Sequence, residues 1–192
     1  MRRINSIRAC AFGDLSSGKT LTLVIEALRY HKVLFPDFPI FSNIQLNGLK
    51  YNKVDSARIL FELNDPCFLL LDELWHLADS RKSMALINDV MSQLLLRSSK
   101  NGWSVWYSQQ WFTQTDIRIR FITSLWVQPQ LLENDVLQQD FLNKHGEFIQ
   151  TRYINAVPFY DRFESTADPF TLNLDELKEL WLKQRRKLGF SS

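Results

Sequence analysis

Eight consecutive residues near the start of the sequence have the types and spacing of a phosphate-binding loop. They fit the pattern G-x-x-x-x-G-K-[ST] without a mismatch. Such a loop wraps a phosphate group with backbone N–H groups, so it must turn tightly, and a glycine at each end permits this. The predicted loop consists of Gly13, Asp14, Leu15, Ser16, Ser17, Gly18, Lys19 and Thr20.

The last two residues of the loop carry the chemistry expected for a nucleoside triphosphate. The ammonium of Lys19 suits a place between the β- and γ-phosphates, and the hydroxyl of Thr20 is a ligand for Mg²⁺. An apolar strand at 7–12 precedes the loop, and a helix with apolar residues at helical spacing follows it. This context argues against a chance match in a glycine turn, because the helix directs its positive end at the phosphates. ATP and Mg²⁺ are therefore the predicted ligands.

A pair of acidic residues adds a second part of the same chemistry. Asp72 and Glu73 end the apolar run 68–71, a pattern typical of a strand buried on both faces. With a phosphate loop upstream, Asp72 is the predicted carboxylate for Mg²⁺, and Glu73 is placed to polarise the attacking water as a general base. The alternative is that both carboxylates only begin the next helix. A base of this kind also argues against a simple nucleotide-binding switch.

The polar end of a later strand, Ser108-Gln109-Gln110, offers an amide group to the same site. An amide in this place would sense the γ-phosphate or orient the water. We favour Gln110 for this role, with Gln109 second. The alternative is an ordinary polar end of a strand.

Arg118 and Arg120 are candidates for a residue that acts on a neighbouring subunit. They alternate in the segment 116–120 and would share a face if it were extended. An arginine supplied to a neighbour's ATP would stabilise charge on the transferring phosphoryl group. The alternative is a surface ion pair with Asp116, and both arginines stay candidates.

The bulk properties are those of one globular domain, residues 1–192, and no apolar stretch is long enough for a membrane span or a secretion signal. A net charge of +2 does not by itself predict nucleic-acid binding. A role on DNA would need local basic loops, or a ring of subunits that adds their charges. Cys10 and Cys67 lie in apolar runs and are predicted to be buried, reduced thiols of an intracellular protein.

The order of segments predicts an α/β fold with a mainly parallel β-sheet flanked by helices. Apolar runs bounded by turn residues indicate strands at 7–12, 39–46, 67–71, 103–108, 122–127 and 148–157. Apolar residues at helical spacing indicate helices at about 19–33, 55–63, 83–99 and 174–188, the last with an acidic start and a basic end. Trp103, Trp106 and Trp111 are predicted to pack in the core rather than to stack on a base.

Taken in order, these motifs resemble the viral branch of the FtsK–HerA superfamily of P-loop ATPases. The order is G-D-L-S-S-G-K-T, P-I-F-S-N-I-Q-L-N-G, L-L-L-D-E-L, D-S-R-K-S, Y-S-Q-Q-W, D-I-R-I-R and F-Y-D-R-F-E-S, and the resemblance covers residues 7–165. The sequence is most similar to the small genome-packaging ATPases of archaeal icosahedral viruses with internal membranes. Related ATPase domains occur in the zonula-occludens-toxin-like assembly proteins of filamentous phages.

The resemblance implies a P-loop NTPase core of the RecA-like, additional-strand catalytic-glutamate type. It also implies a homo-oligomeric ring and ATP-driven movement of double-stranded DNA into a preformed capsid. The implied partners are DNA, held through its phosphates, and a capsid or portal-vertex protein, in the host cytoplasm or with the virion. The positions that match the family's ATP machinery are Lys19, Thr20, Asp72, Glu73 and Gln110, and Arg118 or Arg120 matches its trans-acting arginine.

Candidates for contacts to DNA phosphates are Arg81 and Lys82, after the acidic strand, and Lys100, before Trp103. Arg81 lies in a segment that departs from the wider superfamily, and it is also a candidate contact to ATP or to the neighbouring subunit. For each of these residues, a solvated surface side chain is the alternative.

Two other functions compete with DNA packaging. The first is a phage assembly or secretion ATPase of the zonula-occludens-toxin type, although such proteins continue into a membrane span that the sequence does not contain. The second is a monomeric P-loop kinase or nucleotide switch. A kinase needs an acceptor pocket and an arginine-rich lid, and Glu73 suits water better than an alcohol acceptor.

Overall fold

The strands form one eight-stranded sheet, and helices cover both of its faces. The computed structural model describes residues 6–29, 32–33, 36–73, 81–110, 116–164 and 173–187. The strands are β1 (Arg8–Phe12), β2 (Ile40–Ser42), β3 (Asn52–Lys53), β4 (Phe68–Leu71), β5 (Ser104–Gln109), β6 (Leu125–Leu132), β7 (Val136–Asn143) and β8 (Phe148–Asn155). The helices are α1 (Lys19–Arg29), α2 (Ala57–Glu62), α3 (Arg81–Asn101), α4 (Ile117–Ile122) and α5 (Leu174–Lys187).

The strand order across the sheet is β3-β2-β4-β5-β1-β6-β7-β8. Neighbours from β3 to β6 run parallel, whereas β6, β7 and β8 pair antiparallel, and we call these three strands the antiparallel extension. The prediction of an α/β fold with a mainly parallel sheet is confirmed. In addition, β5 lies between β1, which leads into the phosphate loop, and β4, which ends before Asp72. This is the additional strand that the resemblance implies.

Strand β4 shows how alternate residues are shared between the two layers of core. Each of its four residues is at most 1% exposed. Phe68 and Leu70 pack with Leu23 of α1, whereas Leu69 and Leu71 pack with apolar residues of α3 and α5. A strand covered on both faces must be apolar at every position, which explains the uninterrupted run in the sequence.

The aromatic and thiol side chains expected in the core are found there. Trp103 and Trp106 are 0% and 3% exposed and belong to opposite layers, so core packing is confirmed for both. Trp111 lies outside the described residues. Cys10 and Cys67 are free and buried. Burial raises the pKa of Cys67 to about 12, so this thiol stays protonated at neutral pH.

The predicted elements agree with the structure at their centres and differ at their ends. Helix α1 is described over Lys19–Arg29, and the rest of its predicted span lies partly outside the described residues. Strand β2 ends at Ser42, although its pattern continues to 46. Helix α3 ends at Asn101, where Gly102 has φ +72°. That left-handed angle is typical of the glycine that terminates a helix.

The segment Ile117–Ile122 forms helix α4 and is not extended. Asp116 accepts a hydrogen bond from the Arg118 backbone N–H over 2.8 Å and so caps the first turn of α4. Because successive residues of a helix turn by about 100°, Arg118 and Arg120 do not share a face as they would on a strand. The predicted strand 122–127 is therefore displaced, and β6 begins at Leu125. Strand β7 has no predicted counterpart.

The antiparallel extension packs against α1, the helix that follows the phosphate loop. Leu137 of β7 shares an apolar cluster with α1. Gln139 Nε2 donates to Thr22 Oγ1 over 3.1 Å, and both residues are 0% exposed. On β8, Arg152 Nη1 lies 2.6 Å from Glu26 Oε1. Apolar, polar and charged contacts thus join the extension to one helix.

Helix α5 docks on α2 through its acidic start. Glu176 accepts hydrogen bonds from Ser56 Oγ at 2.8 Å and from the Ala57 N–H at 3.2 Å, which satisfies a donor at the start of α2. Trp181 is 9% exposed and packs in the same layer as α3. No helix in the described ranges is both long enough and apolar enough to cross a membrane.

Candidate active site

The loop between β1 and α1 is tightly bent and is held against the antiparallel extension. Ser16 has φ +60° and Gly18 has φ +96°. A Cβ atom on Gly18 would lie 2.6 Å from Leu137 Cδ1, which is closer than any side chain tolerates. A side chain at position 18 would therefore need Leu137 to move, and the left-handed φ also favours glycine where β7 contacts the loop.

The Lys19 ammonium is held inside the loop. Its Nζ donates to Gly13 O over 2.9 Å and to Asp14 O over 2.6 Å, and the residue is 6% exposed. Burial lowers the pKa of Lys19, and the carboxylates of Glu73, Asp72 and Asp14 oppose that shift. The positive charge predicted to face the phosphates thus lies close to both predicted catalytic carboxylates.

Asp72 connects α1 with the ends of β2, β4 and β5. Its Oδ2 accepts from Thr20 Oγ1 at 2.6 Å, and its Oδ1 accepts from Ser108 Oγ. Its backbone N–H donates to Asn43 Oδ1 at 2.7 Å, and its carbonyl accepts from Asn43 Nδ2 at 2.8 Å. The carboxyl ends of adjacent parallel strands form the usual ligand crevice of an α/β sheet, and these contacts lie there.

The charge on Asp72 is costly in this environment. The residue is 3% exposed, and burial raises the pKa of its carboxyl group. Hydrogen bonds from Ser108 and Thr20 oppose the shift, Glu73 adds to it, and Lys19 opposes it. A divalent cation beside Asp72 would therefore stabilise the ionised form.

The residues around the loop fit a magnesium nucleotide. Thr20 and Asp72 offer a hydroxyl and a carboxylate in contact with each other, and Ser17 Oγ is buried without a hydrogen-bond partner among the described residues. The described residues include no cluster of three or more His, Cys, Asp or Glu suited to a metal. Magnesium would thus depend on Thr20, Asp72 and oxygens of the nucleotide, as hard cations do when they bind with phosphates.

Glu73, the residue after Asp72, has a strained backbone conformation. Its φ is +51°, a left-handed angle that costs an L-residue roughly 1–2 kcal/mol. Its N–H donates to Ser108 Oγ over 3.1 Å, so the Ser108 hydroxyl contacts both acidic residues. Strain held by surrounding contacts is common at functional sites, and here it falls on the residue predicted to be the general base.

Two solved structures match this chain when whole structures are compared. The N-terminal domain of zonular occludens toxin from Neisseria meningitidis matches with a TM-score of 0.59 and 17% sequence identity, covering 83% of this chain and 100% of that chain. The fold is that of the P-loop NTPases. A KaiC-like protein from the archaeon Pyrococcus horikoshii matches with a TM-score of 0.47 and 10% identity, covering 77% and 81% of the two chains. No protein-family model and no curated protein matches the sequence.

Within this P-loop NTPase fold, the two glutamines occupy different positions. Phe12 of β1 is paired with Gln109 of β5, so Gln110 follows β5 at the edge where Gly13 follows β1. Gln109 is 6% exposed, whereas Gln110 is half-buried beyond the strand. The placement agrees with the preference for Gln110, whose role stays a prediction.

Arg118 lies on the surface between two aspartates. It donates to both carboxylate oxygens of Asp116 at 2.9 Å and to Asp89 Oδ1 at 2.7 Å, and its side chain is 54% exposed. Hydrogen bonds from Arg118 lower the pKa of Asp116. The surface ion pair considered as the alternative is therefore present. Arg120 is half-buried two residues further along α4.

The basic residues predicted to contact DNA do not form one patch. Helix α3 has 21 residues, which corresponds to about 30 Å at a rise of about 1.5 Å per residue. Arg81 and Lys82 begin this helix, at the edge of the sheet that carries Asp72, whereas Lys100 is exposed near its other end. The side chains of Arg81 and Lys82 lie outside the described part of the structure.

Two residues that hold Asp72 in place were not predicted from the sequence. Asn43 directly follows β2 and is 1% exposed, and Ser108 lies near the end of β5 and is 0% exposed. The available signal was a polar residue at the carboxyl end of each strand. Such residues are common, and these two could be linked to Asp72 only because the sheet order places β2 and β5 on either side of β4.

Proposed function

We propose that the protein is a Mg²⁺-dependent ATP hydrolase. The observation that carries the proposal is a continuous set of hydrogen bonds from Thr20 through Asp72 to Ser108, which also binds the N–H of Glu73. The P-loop NTPase fold supplies the setting. A second carboxylate next to the metal-side aspartate favours hydrolysis over nucleotide binding alone.

Each side chain then has a separate task. Lys19 offsets charge on the terminal phosphates from inside the loop. Thr20 and Asp72 hold Mg²⁺, which polarises phosphoryl oxygens when it is bound. Glu73 accepts the proton of the attacking water, and Gln110 orients that water.

Two further residues act through these groups. Ser108 contacts the carboxylate of Asp72 and the N–H of Glu73, and Asn43 binds the backbone of Asp72 on both sides of the residue. They are positioning residues, because their hydrogen bonds fix where the two carboxylates point.

We further propose that hydrolysis moves double-stranded DNA into a preformed capsid. The ordered motifs that resemble viral packaging ATPases support this step, together with the additional strand β5. The working form is a homo-oligomeric ring with a capsid or portal-vertex protein as partner, in the host cytoplasm or with the virion. Arg118 or Arg120 acts on the neighbour's ATP, and the half-exposed side chain of Arg118 is accessible to a neighbour.

A second candidate function is a phage assembly or secretion ATPase of the zonula-occludens-toxin type. The observation that favours it is the likeness to the N-terminal domain of zonular occludens toxin over the whole of that domain. Such a protein would use the same ATP site without being stimulated by DNA.

The test is ATP hydrolysis with and without double-stranded DNA, measured for the wild type, Glu73→Ala and Glu147→Ala. Glu147 is an exposed carboxylate in the β7–β8 turn and serves as the matched control. We expect DNA to increase turnover and Glu73→Ala to abolish it while nucleotide still binds, and Glu147→Ala to behave as the wild type. Arg118→Ala and Arg120→Ala in the same assay show which arginine turnover requires.

The outcomes separate the candidates. Normal hydrolysis by Glu73→Ala would contradict the assigned base. Hydrolysis by an oligomer that ignores DNA, at salt concentrations low enough for phosphate contacts, would favour the assembly ATPase. A monomer without DNA stimulation would favour a kinase or nucleotide switch.

A further inference from the structure

A concavity of about 600 Å³ lies on α1 away from the phosphate loop, within the range of volumes usual for ligand pockets. Its walls are the second half of α1, residues 32–33, the end of β8 and the short 3₁₀ helix Val157–Arg162 that follows β8. Arg29 in its lining is ten residues beyond Lys19, or about 15 Å along the helix. The concavity is therefore distinct from the ATP site.

The lining combines an apolar surface with positive charge. The apolar part includes Ile25, Leu28, Ile154 and Phe159, and none of the lining residues that the structure describes is acidic. Its charged members are Arg29, Lys32, Arg152 and Arg162.

One buried acid compensates part of this charge. Glu26, with its side chain 7% exposed, lies 2.6 Å from Arg152 and 3.7 Å from Arg29. Among the described residues, the lining thus has four cations, of which Glu26 pairs with two, and Lys32 and Arg162 are exposed. A positively charged rim with apolar walls raises the local concentration of anions and favours those that carry apolar surface.

We propose that this concavity binds a small anionic amphiphile, with one carboxylate or phosphate and an aliphatic body. The charged rim holds the anionic group, and the apolar walls hold the chain. The apolar walls favour an aliphatic body over a sugar, whose hydroxyl groups would lose water against apolar side chains. The same chemistry is available from a free amphiphile and from an anionic lipid headgroup with its acyl chain.

The test is calorimetric titration of the full chain with decyl phosphate below its micelle concentration. Octyl phosphate, inorganic phosphate and decanol are measured beside it. Each buried methylene strengthens binding about fourfold, so we expect octyl phosphate, which is two methylenes shorter, to bind about fifteenfold more weakly than decyl phosphate. Inorganic phosphate and decanol, which each lack one half of the recognition, bind more weakly still.

Variants locate the site. We expect Arg162→Gln to weaken decyl phosphate binding about tenfold, the usual value of a charge-assisted hydrogen bond, and Arg29→Gln/Arg162→Gln to weaken it further. Arg58→Gln, on the exposed surface of α2, is the matched control and binds as the wild type. Urea unfolding of each variant confirms that the exposed substitutions leave the fold intact.

Binding to lipid vesicles distinguishes a lipid headgroup from a free amphiphile as the ligand. Binding to phosphatidic acid vesicles but not phosphatidylcholine vesicles, lost in the double variant, would indicate a lipid, whereas binding of free decyl phosphate alone would indicate a soluble amphiphile. Equal affinity of the wild type and the double variant for decyl phosphate overturns the proposal. So does an affinity for inorganic phosphate equal to that for decyl phosphate. Because no arm requires hydrolysis, this result is independent of the proposed ATPase activity.

Discussion

Replacing Thr22 by valine removes the acceptor of the buried hydrogen bond from Gln139 and leaves the shape of the side chain almost unchanged. The bond joins α1 to the antiparallel extension over 3.1 Å, between residues that are 0% exposed. The other atom of the amide group, Gln139 Oε1, is buried without a partner in the described part of the chain. This pair therefore tests how firmly the extension is fixed to the helix of the phosphate loop.

The expected magnitudes follow from which atoms lose a partner. Thr22→Val leaves the Gln139 N–H groups buried and unsatisfied, which costs about 1–3 kcal/mol of the free energy of unfolding. Gln139→Met removes this donor together with the partnerless oxygen, so we expect a loss below about 1 kcal/mol. The double variant should be about as stable as Gln139→Met alone, which corresponds to a coupling equal to the Thr22→Val loss, about 1–3 kcal/mol.

The assay is urea unfolding without nucleotide, comparing midpoints at constant slope. Gln138→Met is the control, because the Gln138 amide is only part-buried and water can replace its partner. Its stability should change by less than about 0.5 kcal/mol. Strictly additive losses in the double variant, or no loss in Thr22→Val, would refute the assigned hydrogen bond.

Two further substitutions test the site and its support. Gly18→Ala places a Cβ 2.6 Å from Leu137 Cδ1, whereas Gly146→Ala, also at positive φ, meets no atom within 4 Å. Urea unfolding should show that Gly146→Ala loses roughly 1–2 kcal/mol of stability from backbone strain and that Gly18→Ala loses clearly more. Equal losses would contradict the contact with β7. For Asp72, burial raises the pKa in the folded state, so its ionised form destabilises the metal-free protein above that pKa and the penalty disappears as pH falls through it. Asp72→Asn should therefore gain stability relative to the wild type at pH 7 and lose that advantage near pH 4, measured by unfolding without Mg²⁺, while ATP hydrolysis is abolished; a difference that is constant with pH would contradict the assignment.

Sequence patterns identified the elements whose physical demands are local. The phosphate loop needs particular residues at fixed spacing, and β4 needs four apolar residues in a row because both of its faces are covered. Asp72 is hydrogen-bonded to Thr20 and lies near Lys19. The roles of these three residues, of Glu73, of Gln110 and of the two arginines stay predictions.

Strand β7 was missed because its inward face is not uniformly apolar. Leu137, Gln139 and Phe141 point to the core and are 0%, 0% and 4% exposed, and the glutamine between the two apolar residues breaks the alternation that marks a half-buried strand. Its polar group is tolerated because Thr22 of α1 accepts its hydrogen bond. That partner is 117 positions away, so no local window of sequence contains the explanation.

The segment 116–122 shows the opposite case, an alternating pattern that does not form a strand. Alternating isoleucine and arginine imitate a strand, yet Ile117 and Phe121 are 58% and 79% exposed and Ile119 is 0% exposed. The aspartate at 116 was a cap signal that outweighed the alternation. Ser108 and Asn43 could not be assigned from sequence, because their role depends on which strands are neighbours.

The position of β5 has a consequence for how the protein is made. The residues predicted to bind ATP and Mg²⁺ all precede residue 74, but β1 and β4 are joined only through β5, and Ile7 is hydrogen-bonded to Ser104, 97 positions later. During synthesis, the emerging chain therefore displays the whole phosphate-binding sequence before the strand that aligns it exists. Closing so long a loop is slow, so the residues predicted to bind nucleotide are aligned only late in folding, after β5 has paired with β1 and β4.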